Sequence, residues 1–170
     1  EVSSEDRRRA KAINFGIIYG MSSFGLASEI GTSLKEAKAF IDSYFSKYPD
    51  IDSFIAKTID FAERNGYVRT LEGRMRFINE ISSPNKNLRE LGKRLAQNSP
   101  IQGTAADIMK LAMIRVDRAL KEAELDAKIV LQVHDELIIE VKSSQAGEAL
   151  RILETEMENA YKMEVPLEAS

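Results

Sequence analysis

Hydrophobic residues recur at the three- and four-residue spacing of amphipathic helices through most of the first 65 positions. Together with polar residues at helix starts and glycine or proline at helix ends, this spacing predicts helices over about 4–19, 22–30, 34–48 and 50–65. Ser3 with Asp6, and Ser33 with Glu36, have the spacing of capping boxes. The first third of the chain is therefore predicted to be helical.

Two hairpins interrupt this helical pattern. The β-prone runs 67–71 and 74–78 flank Glu72-Gly73, and the runs 129–133 and 136–141 flank His134-Asp135. Between the hairpins, 85–122 is helical in composition but contains Pro100, so two helices are expected there. A final helix is expected over about 144–161. The pattern predicts an α+β fold, mainly helical, that ends in a β-β-α unit.

Composition narrows the possible functions. The 170 residues are 44% hydrophobic and 30% charged, which suits one domain with a substantial core. The absence of cysteine excludes disulfide scaffolds and thiolate metal sites, and a net charge of −3 requires any nucleic-acid contact to be local. No apolar run approaches membrane-spanning length and no signal peptide opens the chain, so no membrane partner and a cytoplasmic location are expected.

The first predicted helix carries two cations and two aromatic rings at four-residue intervals: Arg7, Lys11, Phe15 and Tyr19. Residues so spaced share a helix face. Cationic donors suit a triphosphate, and flat apolar rings suit a base and sugar, so this face could hold a nucleotide. The alternative is an amphipathic helix with a solvated basic start and buried aromatic residues.

Arg94, Asn98 and Gln102 repeat the four-residue spacing and offer donors that suit minor-groove base acceptors. The alternative is capping and surface polarity around Pro100. His134, Asp135 and Glu136 lie between two hydrophobic strands, where burial of charge is costly unless the charge coordinates something. The alternative is an exposed hairpin tip. With one histidine and no cysteine, an oxygen-ligated cation fits this turn better than zinc.

The spelling of three segments resembles family A DNA polymerases, the group of bacterial DNA polymerase I. These segments are R-x-x-x-K-x-x-x-F-G-x-x-Y-G over 7–20, Arg94 through Gln102 with Gly-Thr-Ala-Ala-Asp at 103–107, and Gln-Val-His-Asp-Glu at 132–136. They occur in the family's order and span almost the whole chain. The resemblance implies a fingers subdomain over 1–83 and part of a palm subdomain over 84–170.

The same resemblance implies residue roles. Arg7 and Lys11 would bind the incoming triphosphate, with Lys11 also protonating or screening the pyrophosphate leaving group. Phe15 would pack on the sugar, and Tyr19 would lie near the templating position. Asp135 would be a Mg²⁺ ligand and catalytic carboxylate, with His134 near the primer terminus and Glu136 supporting it. Contacts to primer–template DNA are implied for Arg94, Asn98, Gln102 and His134, and, within the first hairpin, for Thr70 and Arg74.

The implied activity is template-directed transfer of nucleotides from dNTPs to a primer 3′-hydroxyl by a two-metal mechanism. The family's upstream aspartate motif does not occur in this sequence, nor do its thumb and exonuclease regions. The Mg²⁺ site is therefore expected to be incomplete and the isolated chain inactive. Without the upstream palm, the edge of the 129–141 hairpin is expected to be exposed, which would favour self-association.

Two other readings of the residues are open. The chain could be a non-catalytic module that binds nucleotides or nucleic acid. It could also be a helical interaction domain whose basic first helix docks onto an acidic protein. Titration with nucleotide separates the second of these from the others.

Overall fold

The structure is a computed structural model that describes residues 3–170, apart from the side chains of Glu5 and Arg9. Residues 1 and 2 of the predicted fingers region lie outside that range. Over the described residues the chain forms six α-helices and two antiparallel hairpins. The helices are α1 (Ser4–Ile18), α2 (Ser23–Ile30), α3 (Leu34–Lys47), α4 (Pro49–Asn65), α5 (Lys86–Glu122) and α6 (Ala146–Glu158). The strands are β1 (Tyr67–Arg69), β2 (Met75–Phe77), β3 (Ala127–Val133) and β4 (Glu136–Val141). The predicted α+β, mainly helical fold is confirmed.

The chain divides into two compact units, Glu1–Gln102 and Gly103–Ser170. The boundary falls within α5, which contributes residues to both. The division predicted at 83/84 concerns polymerase subdomains and stays a prediction. In the described part of the chain, no helix combines the length and hydrophobicity needed to cross a membrane.

The starts of α1 and α3 follow the capping boxes read from the sequence. The Ser3 hydroxyl accepts a hydrogen bond from the backbone amide of Asp6, and the Asp6 carboxylate accepts one from the backbone amide of Ser3. Ser33 and Glu36 make the same reciprocal pair of hydrogen bonds. The Glu36 carboxylate also accepts the hydroxyls of Thr32 and Ser33 at 2.5 and 2.7 Å. These hydrogen bonds, led by that from Thr32, lower the pKa of Glu36 from 4.5 to about 2. Local polar residues therefore set where these helices begin.

The first unit has its core where α4, the first hairpin and α5 meet. Its buried residues are Ala62, Val68, Ile78, Ile81 and Ala96. A short 3-10 helix, Asn79–Ser82, connects the hairpin to α5 and lies directly against Gly92. A side chain at Gly92 would collide with this backbone, so the close approach requires glycine.

The first hairpin has shorter strands than expected. Tyr67 pairs with Phe77, Val68 with Arg76 and Arg69 with Met75, which leaves a five-residue loop over 70–74 in place of a two-residue turn. The Thr70 amide donates to the Arg74 carbonyl, and the Thr70 hydroxyl accepts the Arg74 amide at 3.1 Å. Gly73 within the loop has a φ of 80°. The threonine side chain thus closes the loop in place of another pair of strand residues.

The two helices predicted around Pro100 are a single helix, so that prediction is wrong. Proline removes one amide donor and costs a helix interior about 3 kcal/mol. Here the Ser99 hydroxyl donates to the Leu95 carbonyl, and the helix buries residues on both sides of the proline. Ala96 packs into the core of the first unit, and Val116 and Leu120 pack into the core of the second unit. This packing offsets the free energy lost with the hydrogen bond that Pro100 cannot donate, and α5 stays continuous.

The second unit is the predicted β-β-α unit with α5 packed on it. Leu137 of β4 is buried against Val116 and Leu120 of α5 and Ala149 of α6. A register shift between Ile129 and Leu131 interrupts the pairing of β3 with β4. β3 begins two residues earlier than expected, at Ala127. α6 is shorter than expected at both ends: a 3-10 turn (Ser143–Gln145) precedes it, and it ends at Glu158.

We expect Gly92→Ala to destabilise the first unit by about 1–3 kcal/mol. An ideal Cβ at this position would lie 2.6 Å from the backbone nitrogen of Ile81 and 2.8 Å from the carbonyl carbon of Glu80, and backbone cannot move away as a flexible side chain can. Denaturant unfolding measures the effect. Gly147→Ala is the control, since a Cβ in this helical position meets nothing within 4 Å. Gly147→Ala should raise the free energy of unfolding by up to about 1 kcal/mol, because alanine favours a helix more than glycine does. Equal effects of the two substitutions would contradict the packing argument.

Candidate functional site

The basic and aromatic residues of α1 lie on one exposed face. Lys11 Nζ is 5.8 Å from the centroid of the Phe15 ring, and the Phe15 and Tyr19 rings stack with centroids 5.9 Å apart and planes 20° apart. Arg7, one turn before Lys11, is also exposed. Along this face, two positively charged side chains are therefore followed by two nearly parallel aromatic rings. We call Arg7, Lys11, Phe15 and Tyr19 the α1 face.

The two rings of the α1 face are not core residues. Phe15 and Tyr19 are each 46% exposed, whereas Ile17, on another side of the helix, is 3% exposed. The amphipathic alternative required the aromatic residues to be buried with the isoleucines. The structure instead presents both rings to solvent, where they are free to meet a ligand.

Two side chains of α5 hold the C-terminal end of α1. The Gln97 amide donates to the Ile18 carbonyl, and Asn98 Nδ2 donates to the Tyr19 carbonyl at 3.4 Å. Carbonyls in the last turn of a helix lack intrahelical partners, so these amides supply what the helix cannot. Gln97 is 7% exposed, which makes its hydrogen bond a buried one.

Gly20 follows at the point where α1 meets these side chains. Its φ is 77°, and an ideal Cβ would lie 3.0 Å from Gln97 Oε1 and 3.1 Å from Arg94 Cγ. Both the left-handed conformation and the narrow space favour glycine. The conformation at Gly20 and the two amides together fix the end of the α1 face.

A pocket of about 450 Å³ opens beside the aromatic end of α1. Its walls include Phe15, Gly16, Tyr19, Met21, Glu29 and Arg94. The structure thus brings Arg94 and Asn98 next to the α1 face. Gln102 lies two helical turns beyond Arg94 and is exposed. Of the three α5 residues selected by spacing, two therefore adjoin the α1 face.

Thr70 and Arg74 lie in the loop of the first hairpin, as predicted. Their backbone hydrogen bonds and the Thr70 hydroxyl close that loop. A contact with DNA by either side chain stays a prediction.

His134, Asp135 and Glu136 form the exposed turn between β3 and β4. Val133 pairs with Glu136, so His134 and Asp135 make a two-residue loop. His134 has a φ of 51°, and its carbonyl accepts the side-chain amide of Gln132. Two-residue hairpin loops require a positive φ at a central residue, so the conformation of His134 follows from this turn. These residues therefore form an exposed hairpin tip, which was the alternative reading of the sequence, and the conformation of the tip is constrained.

Asp135 borders a second pocket of about 270 Å³, whose walls include Ala105, Ile108, Met109, Met157 and Leu167. All of these residues belong to the second unit. The carboxylate thus stands at the edge of a largely apolar hollow. Among the side chains that the structure describes, however, no group of three histidine, aspartate or glutamate residues lies close enough to hold a metal ion.

Gln97 is the site residue that sequence reasoning missed. It lies off the Arg94, Asn98 and Gln102 stripe by one residue, and a glutamine within a polar stretch carries no signal of burial. Only its contact with a carbonyl 79 residues earlier in the chain reveals its role.

The whole chain, residues 1–170, matches the family model described as DNA polymerase family A. This chain belongs to DNA polymerase family A. DNA polymerase I of Caldicellulosiruptor bescii is 52% identical over 167 residues, and that of Pseudomonas aeruginosa is 48% identical over 167 residues; each match covers 98% of this chain. A solved structure described as the POL domain of Pol1 from M. smegmatis in complex with DNA primer-template and dNTP matches with a TM-score of 0.93. It is 45% identical, and the match covers 99% of this chain.

The family A chain described here spans about a fifth of the length of these curated relatives, 20% for C. bescii and 18% for P. aeruginosa. It spans 30% of the M. smegmatis chain. The matches cover both compact units and all three motifs.

Replacing Gln97 with leucine should loosen the end of α1. Leucine has a similar volume but no donor, so the Ile18 carbonyl would lose its partner at a cost of about 1–3 kcal/mol. We expect faster hydrogen exchange at the amides of Tyr19, Gly20 and Met21, which bond within this last turn. Gln102→Leu, on the exposed side of the same helix, is the control. Unchanged exchange in Gln97→Leu would show that the amide does not hold α1.

Proposed function

We propose that this chain supplies the nucleotide-binding and template-contacting part of a DNA-directed DNA polymerase, together with one catalytic carboxylate. The observation that carries the proposal is the α1 face, on which exposed cations lead into two exposed, parallel rings. Membership of family A supports it, as does the similarity to a polymerase domain solved with DNA primer-template and dNTP. The reaction would be transfer of a nucleotide from a dNTP to a primer 3′-hydroxyl.

In this proposal the α1 face binds the incoming dNTP. Arg7 offers a planar fork of donors and Lys11 a point charge, and both suit phosphate oxygens. Phe15 would pack on the sugar, and Tyr19, beside the pocket that Arg94 borders, would lie near the templating base. Lys11 would protonate or screen the departing pyrophosphate. The amides of Gln97 and Asn98 would keep the rings in position.

The α5 residues Arg94, Asn98 and Gln102 would contact the primer–template duplex. The Asn98 amide nitrogen carries two hydrogens, so its bond to the Tyr19 carbonyl leaves one donor and the amide oxygen for a base edge. Minor-groove acceptors hardly distinguish A·T from T·A, which suits an enzyme that copies any sequence. His134 would lie near the primer terminus, and Thr70 and Arg74 would contact DNA from the hairpin loop.

The Mg²⁺ that the family implies is only partly matched by this chain. The Asp135 carboxylate is a hard oxygen ligand of the kind that Mg²⁺ prefers, and Glu136 adjoins it. No three such ligands cluster within residues 3–170, so the described residues do not form a complete metal site by themselves. Asp135 is proposed as one ligand of a shared site, and no reaction step is assigned to the ion.

A non-catalytic module that binds nucleotides or nucleic acid is the second candidate function. The incomplete ligand set around Asp135 favours it. The two candidates share the α1 face and differ in whether Asp135 takes part in chemistry.

Self-association through the second hairpin is a further part of the proposal. Val130, Leu131, Val133 and Ile138 on this hairpin are 40–51% exposed. Apolar side chains beside a strand edge attract a partner strand. A cytoplasmic location is proposed because a bacterial polymerase meets its DNA and dNTPs there.

Lys11→Ala should weaken dNTP binding about tenfold, since a hydrogen bond to a charged group contributes roughly 1.5–3 kcal/mol. Calorimetric titration of this chain with dNTP at low salt measures the effect. Lys38→Ala is the matched control, because Lys38 is an exposed lysine on α3, away from the α1 face. Unchanged binding in Lys11→Ala would remove the phosphate role assigned to α1.

Primer extension separates the two candidate functions. We expect a chimera in which these 170 residues replace the matching segment of C. bescii DNA polymerase I to extend a primer. Asp135→Ala should reduce its rate by orders of magnitude, because the shared metal site would lose the carboxylate ligand that Asp135 is proposed to supply. Glu140→Ala, an exposed carboxylate on the same hairpin, should not. A chimera that binds dNTP but does not extend, or extension that survives Asp135→Ala, would favour the non-catalytic module.

A further inference from the structure

The first hairpin has two faces of opposite character. Pairing sets Tyr67 opposite Phe77 and Arg69 opposite Met75, so these four side chains project from the same face. Val68, on the other face, is 2% exposed and packs in the core of the first unit. One face therefore packs into the core of the unit, and the other carries side chains that are largely exposed.

Three aromatic rings line the exposed face. Phe61 of α4 meets Tyr67 edge to face, with centroids 5.5 Å apart, and Tyr67 meets Phe77 with centroids 5.9 Å apart and planes 64° apart. Phe77 is 65% exposed, Met75 48% and Phe61 37%. We call Phe61, Tyr67, Arg69, Met75 and Phe77 the hairpin face. Its largest exposed surface is the ring of Phe77.

An arginine is held in place among these rings. The guanidinium carbon of Arg69 lies 5.2 Å from the Tyr67 centroid, and its Nη2 atom is 3.2 Å from the Tyr67 hydroxyl and 3.7 Å from Met75 Sδ. Both contacts use one nitrogen, and a guanidinium carries five N–H donors. Donors therefore remain for an anion, on a side chain that is already oriented by the ring beneath it.

The charge of this segment is opposite to that of the chain. Residues 67–77 contain three arginines, Arg69, Arg74 and Arg76, and one acidic residue, Glu72, whereas the whole chain has a net charge of −3. A local cationic excess on an acidic protein favours an anionic partner at this place.

We propose that the hairpin face binds single-stranded nucleic acid, with a base stacked on Phe77 and a phosphate held by Arg69. Alternating aromatic and cationic groups are the arrangement that serves single strands, because any base offers a flat face and any nucleotide a phosphate. Bases in a duplex stack on one another, so an exposed ring on a protein surface reaches them only when the strand is single. The binding would not depend on dNTP or on Asp135, and it can fail or hold independently of the polymerase proposal.

The test is fluorescence anisotropy of a short, labelled oligothymidylate titrated with the 170-residue chain at several salt concentrations. Phe77→Ala should weaken binding at least about fivefold, the loss of one stacked base. Phe77→Leu retains apolar area but not the flat ring, and should weaken binding nearly as much. Arg69→Ala should weaken binding. It should also make the negative slope of log K against log salt shallower by about 0.7, because one phosphate contact is lost. Phe40→Ala, which removes a 48% exposed ring from α3, is the matched control and should bind as the unmodified chain does.

An abasic strand of the same length separates stacking from charge alone. The unmodified chain should bind it more weakly than oligothymidylate, and Phe77→Ala should bind the two strands alike. Failure of the unmodified chain to bind oligothymidylate, equal affinities of Phe77→Ala and the unmodified chain, or equal affinity for the abasic strand would overturn the proposal. Self-association that Phe77→Ala abolishes, without binding of oligothymidylate, would assign the hairpin face to a protein partner instead. Circular-dichroism melting of each variant shows that any lost binding is not lost folding.

Discussion

The site depends on the hydrogen bond that the buried Gln97 amide donates to the Ile18 carbonyl. The last carbonyls of a helix need partners from outside it, and here α5 provides them through two consecutive side chains. Gly20 follows this contact with a φ of 77°, and an ideal Cβ there would lie 3.0 Å from Gln97 Oε1, so both conformation and space favour glycine. The end of the helix that carries Phe15 and Tyr19 is thus held by side chains from a segment 79 residues further along the chain.

α5 is the element through which this constraint acts. Gly92 lets it lie directly on the backbone of the 3-10 helix, Ala96 fills the first core, and Val116 and Leu120 fill the second. Pro100 does not end the helix, because the loss of one hydrogen bond is small beside the packing on either side. Gln97 and Asn98 lie directly after Ala96, so the packing of this part of α5 in the first core positions the two amides that meet α1.

Several aromatic rings of the chain are exposed, and two sets of them, on the α1 face and on the hairpin face, lie beside lysine or arginine side chains. On α1 the rings follow two cations, and on the hairpin face the guanidinium of Arg69 lies against the Tyr67 ring. Exposed rings lose the free energy of burial, about 25 cal/mol per Å² of apolar surface. Each set lies beside positive charge, which is the combination that nucleotides and single strands complement. Family membership supports the nucleotide role proposed for the α1 face, whereas the proposal for the hairpin face rests on geometry and charge alone.

The sequence by itself determined the fold class, the helix starts at the capping boxes and the shared face of Arg7, Lys11, Phe15 and Tyr19, because these are set by spacing and by neighbours within one turn. The spelling of three motifs likewise determined the family. Tertiary structure decided what depends on distant residues: the continuity of α5 through Pro100, the burial of Gln97, and the outward direction of Tyr67 and Phe77. In each case the deciding term is packing or a hydrogen bond between segments far apart in the chain. A local pattern carries no record of such contacts, so it could mark Asn98 by its spacing but not the adjacent glutamine that fixes the site.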